Sequence, residues 1–179
     1  DGLPERYVVF YGRIGEEKGI RILMKIWDGL QDIPLVVMGG GPLEEEFRQW
    51  ADGYDNVHFL GYTQHDKCLS IVKGGEFVVF PSIWYEGCSM VEIETESLGK
   101  GLVATNLGFS TEAIEDGKNG YKVKLGDIKG FQKCIEELWS KPELASEIGR
   151  NARLDYEQKY KPEDNYEQLM DIYKKTMER

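Results

Sequence analysis

Glu86 and Glu94 stand eight positions apart in the run Glu86-Gly87-Cys88-Ser89-Met90-Val91-Glu92-Ile93-Glu94. Carboxylates accept hydrogen bonds in pairs from vicinal hydroxyls, so two of them beside one cleft point to sugar rings. Glu86 falls in a loop at a helix entrance. Glu94 falls about two turns inside, where the helical period returns it to the same side. Between them, the free N–H groups around Ser89 and Met90 form an anion site. Glu92 and Glu96 read as the solvated face of that helix. A second group is Gly12-Arg13-Ile14-Gly15-Glu16-Glu17-Lys18-Gly19, in which the glycines let the backbone approach a ligand. There Arg13 can grip phosphate oxygens bidentately and Lys18 acts as a mobile point charge. The run Gly39-Gly40-Gly41-Pro42 is not a dinucleotide fingerprint, because G-x-G-x-x-G requires glycine where Glu44 stands. It reads as a tight strand-to-helix turn with close backbone packing.

These residues need elements to hold them, and apolar runs alternating with amphipathic stretches supply them. Tyr7–Tyr11, Ile33–Met38, Val57–Leu60, Phe77–Phe80, Gly101–Thr105 and Tyr121–Val123 read as strands. Ile20, Leu23, Trp27 and Leu30 share one face of a helix spanning Lys18–Leu30, and Pro42 suits the first turn of a helix through Ala51. Further helices are expected at Gln64–Lys73, Ser89–Leu98, Thr111–Ile114, about 128–139, 142–159 and 163–177. The pattern predicts an α/β, Rossmann-like three-layer domain with a mostly parallel six-stranded sheet and helices on both faces. Ligands of such sheets sit beyond the carboxyl ends of the strands, at a topological switch point. The loops at Gly12–Gly19, Gly39–Pro42, Gly61–Thr63, Ser82–Ser89 and Asn106–Glu112 are therefore the candidate mouth.

The chain has 179 residues, one domain's worth, with 41% hydrophobic and 30% charged residues, so the bulk is globular. Lys+Arg 22 against Asp+Glu 32 leaves a net charge of −10, which excludes holding nucleic acid by phosphate neutralisation. In so acidic a chain, a small anion needs a local positive field from Arg13, Lys18 and the helix entrance, with the surplus acid as solvated surface. Cys68, Cys88 and Cys134 suit neither a disulfide framework nor a zinc site and read as reduced thiols, which favours a cytoplasmic location. Neither a membrane span nor a signal peptide is legible, and the start without methionine reads as a piece of something longer. His58 and His65 read as structural or surface residues. Trp84 and Tyr85 suit the rim of a cleft as well as the core.

Taken in order, Gly12-Arg13…Lys18-Gly19, Gly39-x-Gly41-Pro42, Phe59-Leu60-Gly61, Pro81-Ser82…Glu86-x7-Glu94, Gly99-Lys100 and Asp116-Gly117-x-x-Gly120 resemble the carboxyl-terminal half of family-four retaining glycosyltransferases. The resemblance covers residues 6–177 and implies the GT-B fold. It implies a nucleotide diphosphate sugar as donor, a hexose as the transferred group, and a glycan or lipid-linked saccharide as acceptor, as in lipopolysaccharide, capsule and glycolipid synthesis. Arg13 and Lys18 match the cations on the donor diphosphate, with Gly12, Ser89, Met90 and Val91 beside them. Glu86, Gly87, Cys88 and Ser89 match the donor-sugar wall, Glu94 the ribose contact, and Gly61, Tyr62 and Thr63 the nucleobase loop. Glu86, Arg13 and Lys18 are the residues implied in catalysis. No metal and no cofactor is implied, because fixed cations neutralise the leaving group. Retention in such enzymes is ascribed to same-face attack, with a donor phosphate oxygen assisting the acceptor proton.

The resemblance further implies residues 1–162 as the donor-binding domain and 163–179 as a helix crossing toward an amino-terminal lobe, which supplies the acceptor site and the histidine base of many relatives. Tyr166, Leu169, Met170, Tyr173 and Met177 form the apolar stripe such a crossing would use. The full enzyme would be cytoplasmic, with peripheral association at the inner face of a membrane compatible with the chain. Departures are Cys88-Ser89 for a usual Phe-Gly, Gly101 for a usual proline, and Phe109 for a second glycine, beside Glu112 as a lesser contact. Two other readings stay open: a non-catalytic nucleotide-sugar-binding or scaffold lobe, and another GT-B enzyme such as a nucleotide-sugar epimerase.

Overall fold

All six apolar runs pair side by side in one parallel sheet. The computed structural model describes residues 2–177. Its strands are β1 (Val8–Tyr11), β2 (Leu35–Met38), β3 (Val57–Gly61), β4 (Phe77–Phe80), β5 (Gly101–Thr105) and β6 (Gly120–Val123). Their order is β3-β2-β1-β4-β5-β6, every pair parallel. The helices are α1 (Ile20–Trp27), α2 (Glu44–Ala51), α3 (His65–Gly74), α4 (Met90–Ser97), α5 (Ser110–Ala113), α6 (Ile128–Ser140), α7 (Pro142–Lys159) and α8 (Pro162–Met177). A single 3-10 turn, Glu16–Lys18, precedes α1. It takes Lys18 out of the helix expected from that residue, and α2 likewise begins at Glu44 rather than Pro42.

The sheet is covered on both faces, and this explains the strand composition. β1, β2, β4 and β5 are buried along their whole length, as continuous apolar runs in a parallel sheet require. Successive residues point to opposite layers. Val8, Phe10, Leu35, Val37, Phe77 and Val79 join the core that contains the α1 and α6 stripes. Val9, Tyr11, Val36, Val78 and Phe80 join a second core with Cys68, Ile71 and Val72 of α3. In α1 the buried Ile20, Leu23, Ile26 and Trp27 realise the predicted stripe, and the Trp27 indole donates to the Ile33 carbonyl at 3.0 Å.

The strand order reverses between β1 and β4, which are neighbours although two strands, β2 and β3, separate them in sequence. Their carboxyl ends open the crevice where such sheets bind ligands. The loops after β1 and β4 are the two longest carriers of candidate residues, Gly12–Lys18 and Ser82–Ser89.

Helix α8 stands apart. None of its side chains is buried, and Tyr166, Leu169, Ile172, Tyr173 and Met177 are exposed. Its apolar stripe is therefore unpartnered within residues 2–177. Among those residues no helix is long and apolar enough to cross a membrane.

Candidate functional site

The first wall of the crevice is backbone. Gly12 N–H donates to the Met38 carbonyl at 3.0 Å, and Ile14 N–H to the Gly40 carbonyl at 3.0 Å, so the loops after β1 and β2 are laced together. Gly39 sits at φ 144°, and a Cβ there would come within 1.7 Å of the Gly12 carbonyl oxygen. Only glycine fits, which is the close packing expected of the triple-glycine turn. Beside this wall lies an open cleft of about 360 Å³, lined by Gly12, Arg13, Gly40, Tyr62, Thr63 and His65 among others. Tyr62 is exposed above it.

The second wall joins two loops across the switch point. Lys18 Nζ meets Glu86 Oε1 at 2.5 Å, with the two side chains 22% and 16% exposed. That withdrawal from water makes the pair stronger than an ordinary surface bridge, and either charge costly to leave alone. Lys18 also lies 5.4 Å over the Phe80 ring, a cation–π contact. Ser82 Oγ donates to the Glu17 carbonyl at 3.0 Å and lies 3.4 Å from Glu86 Oε1; Ile83 N–H donates to the same carbonyl at 3.0 Å. Arg13 is exposed and pairs with Glu17 at 3.4 Å, so it is free to swing. Trp84, Tyr85 and Cys88 are exposed in the loop around Glu86, which puts the two aromatics on the rim rather than in the core.

Helix α4 enters between these walls. Ser89 caps it, its Oγ accepting from Glu92 N–H at 3.4 Å, a motif that stabilises a helix by about 1 kcal/mol. The remaining first-turn N–H groups face the crevice mouth with the positive end of the helix dipole. Glu94 is half-buried, 3.6 Å from His65 Nε2, and burial pushes its pKa up against the opposing pull of His65. The Tyr11 hydroxyl donates to the Val91 carbonyl at 2.8 Å and shares a 3.1 Å hydrogen bond with Thr95 Oγ1, which seats α4 on the end of β1. Burial, aided by Glu94, pushes the Cys68 thiol up to about 11, so this cysteine is inert near neutrality. Among the described residues the three cysteines are free, and no group of three or more His, Cys, Asp or Glu side chains is placed to hold a metal ion.

The structure corrects one expectation outright. Glu92 and Glu96 are not a solvated face: they are 0% and 4% exposed. They sit one turn apart on the side of α4 that packs against α7 and β5. Ser110 Oγ donates to Glu92 Oε1 at 2.9 Å, while Glu92 Oε2 and Glu96 Oε2 have no partner among the described residues. Burial, with the Glu86 charge, raises Glu92 to about 7 against its hydrogen bonds to Ser110 and Ser89 and the Lys18 charge. Burial, with Asp155 and Glu92, raises Glu96 to about 8 against Lys159. Asp155 itself is buried and accepts from Asn119 Nδ2 at 2.8 Å. Part of the acidic surplus is thus interior.

Tyr11, Ser82, His65 and Ser110 were given no site role from the sequence, His65 being read as a structural or surface residue. Ser82 and Tyr11 had a signal, since each lies at the carboxyl end of a switch-point strand. His65 stands two residues after the Gly61–Thr63 loop. Ser110 had none.

A wholly parallel sheet of this order, with a charged crevice at its switch point and a capped helix entering it, defines a Rossmann-like ligand-binding domain. The chain belongs to the glycosyl transferases group 1 family, whose model matches residues 3–155. It is 32% identical over 160 residues to the D-rhamnosyltransferase WbpZ of Pseudomonas aeruginosa, covering 87% of this chain and 42% of that protein. The chain thus spans about half the length of the curated relatives it matches. The C-terminal domain of a group 1 glycosyl transferase, LpcC of Francisella tularensis, superposes with a TM-score of 0.77 at 23% identity, covering 89% of each chain. Anabaena Alr3699/HepE, solved in complex with UDP, superposes at 0.86 and 21% identity over 96% of this chain and 49% of its own. The fold is accordingly that of the C-terminal domain of GT-B glycosyltransferases.

Proposed function

We propose that this chain is the donor-binding half of a retaining glycosyltransferase that moves a hexose from a nucleotide diphosphate sugar to a hydroxyl of a glycan or lipid-linked saccharide. The observation that carries the reading is the partly buried Lys18–Glu86 pair at the switch point, with Glu94 on the crevice side of the same helix entrance. A diphosphate entering the crevice offers Lys18 a doubly charged partner. Lys18, Arg13 and the N–H groups of Ser89, Met90 and Val91 then neutralise the leaving group as the glycosidic bond breaks, with Gly12 passing close beneath. Glu86, released from Lys18, accepts hydrogen bonds from the sugar hydroxyls, with Gly87, Cys88 and Ser89 as the rest of that wall. Glu94, steadied by His65, accepts from the ribose hydroxyls. Tyr62 covers the base while Gly61 and Thr63 hold its edge. Retention requires the acceptor hydroxyl to attack from the face the diphosphate leaves, its proton passing to a phosphate oxygen.

The acceptor and closure belong to an amino-terminal lobe of the same enzyme, against which the bare stripe of α8 packs; residues 1–162 form the donor unit. Alone, the chain binds donor and transfers sugar poorly, since transfer depends on held geometry. Calorimetric titration with UDP, GDP and ADP, and with their hexose conjugates, in the presence of a chelator tests this. One base class should bind saturably without metal. Absence of saturable binding to all three would reduce the chain to a scaffold, and sugar interconversion without acceptor by the full-length enzyme would make it an epimerase.

A further inference from the structure

Glu92 is wholly enclosed and takes none of the roles above. What it touches is the turn behind Glu86. Glu92 Oε1 accepts from Ser110 Oγ at 2.9 Å, and Ser110 opens the short helix α5 just after Gly108-Phe109. That turn grips the Glu86 backbone. Phe109 N–H donates to the Glu86 carbonyl at 2.8 Å. Gly108, at φ 56°, lies so close that a Cβ would stand 2.6 Å from the Glu86 carbonyl oxygen and 2.7 Å from its nitrogen. On the other side, the Glu92 backbone N–H donates to Ser89 Oγ at the entrance of α4. The chain of contacts therefore runs from the α4 entrance through Glu92 and Ser110 to the turn that carries Glu86.

We infer that Glu92 is a positioning residue for the sugar end of the donor site, holding the Gly108–Ser110 turn against α4 so that Glu86 keeps a fixed spacing from the helix entrance. The inference rests on the donor-site reading above and deepens it. A buried carboxyl is an expensive way to fill space, and an apolar side chain would pack there without a lone oxygen. The hydrogen bond to Ser110 is what an apolar residue cannot supply. Glu86 and Lys18 from the loops, Glu96 on α4 and Tyr160 beyond α7 share the surroundings, and burial raises the carboxyl to about 7. A neutral carboxyl still accepts from Ser110, so the clamp persists across that titration.

The test compares UDP with UDP-glucose, GDP with GDP-mannose, and ADP with ADP-glucose, by calorimetry on the wild-type chain, Glu92→Gln, Glu92→Met, Ser110→Ala and the Glu92→Met/Ser110→Ala double variant. Glu92→Met and Ser110→Ala should each weaken the sugar nucleotide about tenfold while leaving the parent nucleotide within about twofold, on the scale where tenfold is about 1.4 kcal/mol. The double variant should lose little more than the worse single one, because both break the same link. Glu92→Gln keeps an acceptor for Ser110 and should stay near wild type. Ser110→Ala removes one hydroxyl and carries the test if the buried methionine is not tolerated. Unchanged sugar-nucleotide binding in Ser110→Ala, or an equal loss on nucleotide and sugar nucleotide, overturns the inference. A wild-type chain that binds a nucleotide but gains nothing from its hexose overturns it as well and leaves the donor-site reading standing; one that binds none of the three nucleotides overturns both.

Discussion

Helix α4 carries the same residue type on two sides with opposite consequences. Glu94 looks toward the crevice, has His65 within 3.6 Å and keeps part of its surface in water. Glu92 and Glu96, about 200° away around the helix, look into the protein and each keeps one oxygen without a partner among the described residues. Burial raises the Glu94 carboxyl too, but it keeps an imidazole that opposes the shift and some water, and it stays open to hydroxyl donors. A carboxyl deprived of both is pushed toward the neutral acid, as the raised values of about 7 and about 8 record. The comparison teaches that a run of glutamates is not one feature. Each position acquires its chemistry from the layer it faces.

Three perturbations test that division. The largest effect should come from Lys18→Ala, which removes the cation from the crevice side and leaves Glu86 to repel an incoming anion. Nucleoside diphosphate affinity should fall about a hundredfold, in line with loss of a charge-assisted hydrogen bond plus an unpaired carboxylate. Calorimetry that returns a wild-type affinity would remove the anion role from this wall. Next, Glu94→Ala should weaken the ribonucleotide about tenfold and leave a 2′,3′-dideoxynucleotide unaffected. Equal losses on both ligands would mean that Glu94 acts on the helix rather than on ribose.

The smallest effect concerns the interior face. The Glu96 pKa in the folded chain lies above its ordinary 4.5, at about 8, so the native state holds a proton that the unfolded chain has released between those values. Stability contributed by the neutral acid is intact below the unfolded value and is lost as pH rises through the folded one. Glu96→Met should therefore stabilise the chain, on the order of 1 kcal/mol more at pH 9 than at pH 5. Denaturant melts at the two pH values measure it, and a gain independent of pH would mean that Glu96 does not titrate in this range.

The strand runs and the α1 stripe were legible because fully covered parallel strands are continuously apolar and a packed helix repeats every three to four residues. The crevice loops followed from them, since carboxyl ends of strands are the mouth of any such sheet. Helix α4 was misread because its apolar residues do not mark its buried face. Met90 is 59% exposed at the crevice mouth, while Glu92, Thr95 and Glu96 are the buried ones. No periodicity rule can find a polar face turned inward.

What the sequence by itself determined is the order of elements, the sheet class and which loops meet at its mouth. These depend on hydrophobic period and on residues near one another in the chain. Only the tertiary structure decided that Lys18 meets Glu86 across 68 positions, that His65 backs Glu94, and that Ser110 reaches Glu92 across 18. Such pairings are set by strand order and by how far a helix is rotated on the sheet. Both are fixed by packing of the whole chain, and no short stretch of residues encodes them.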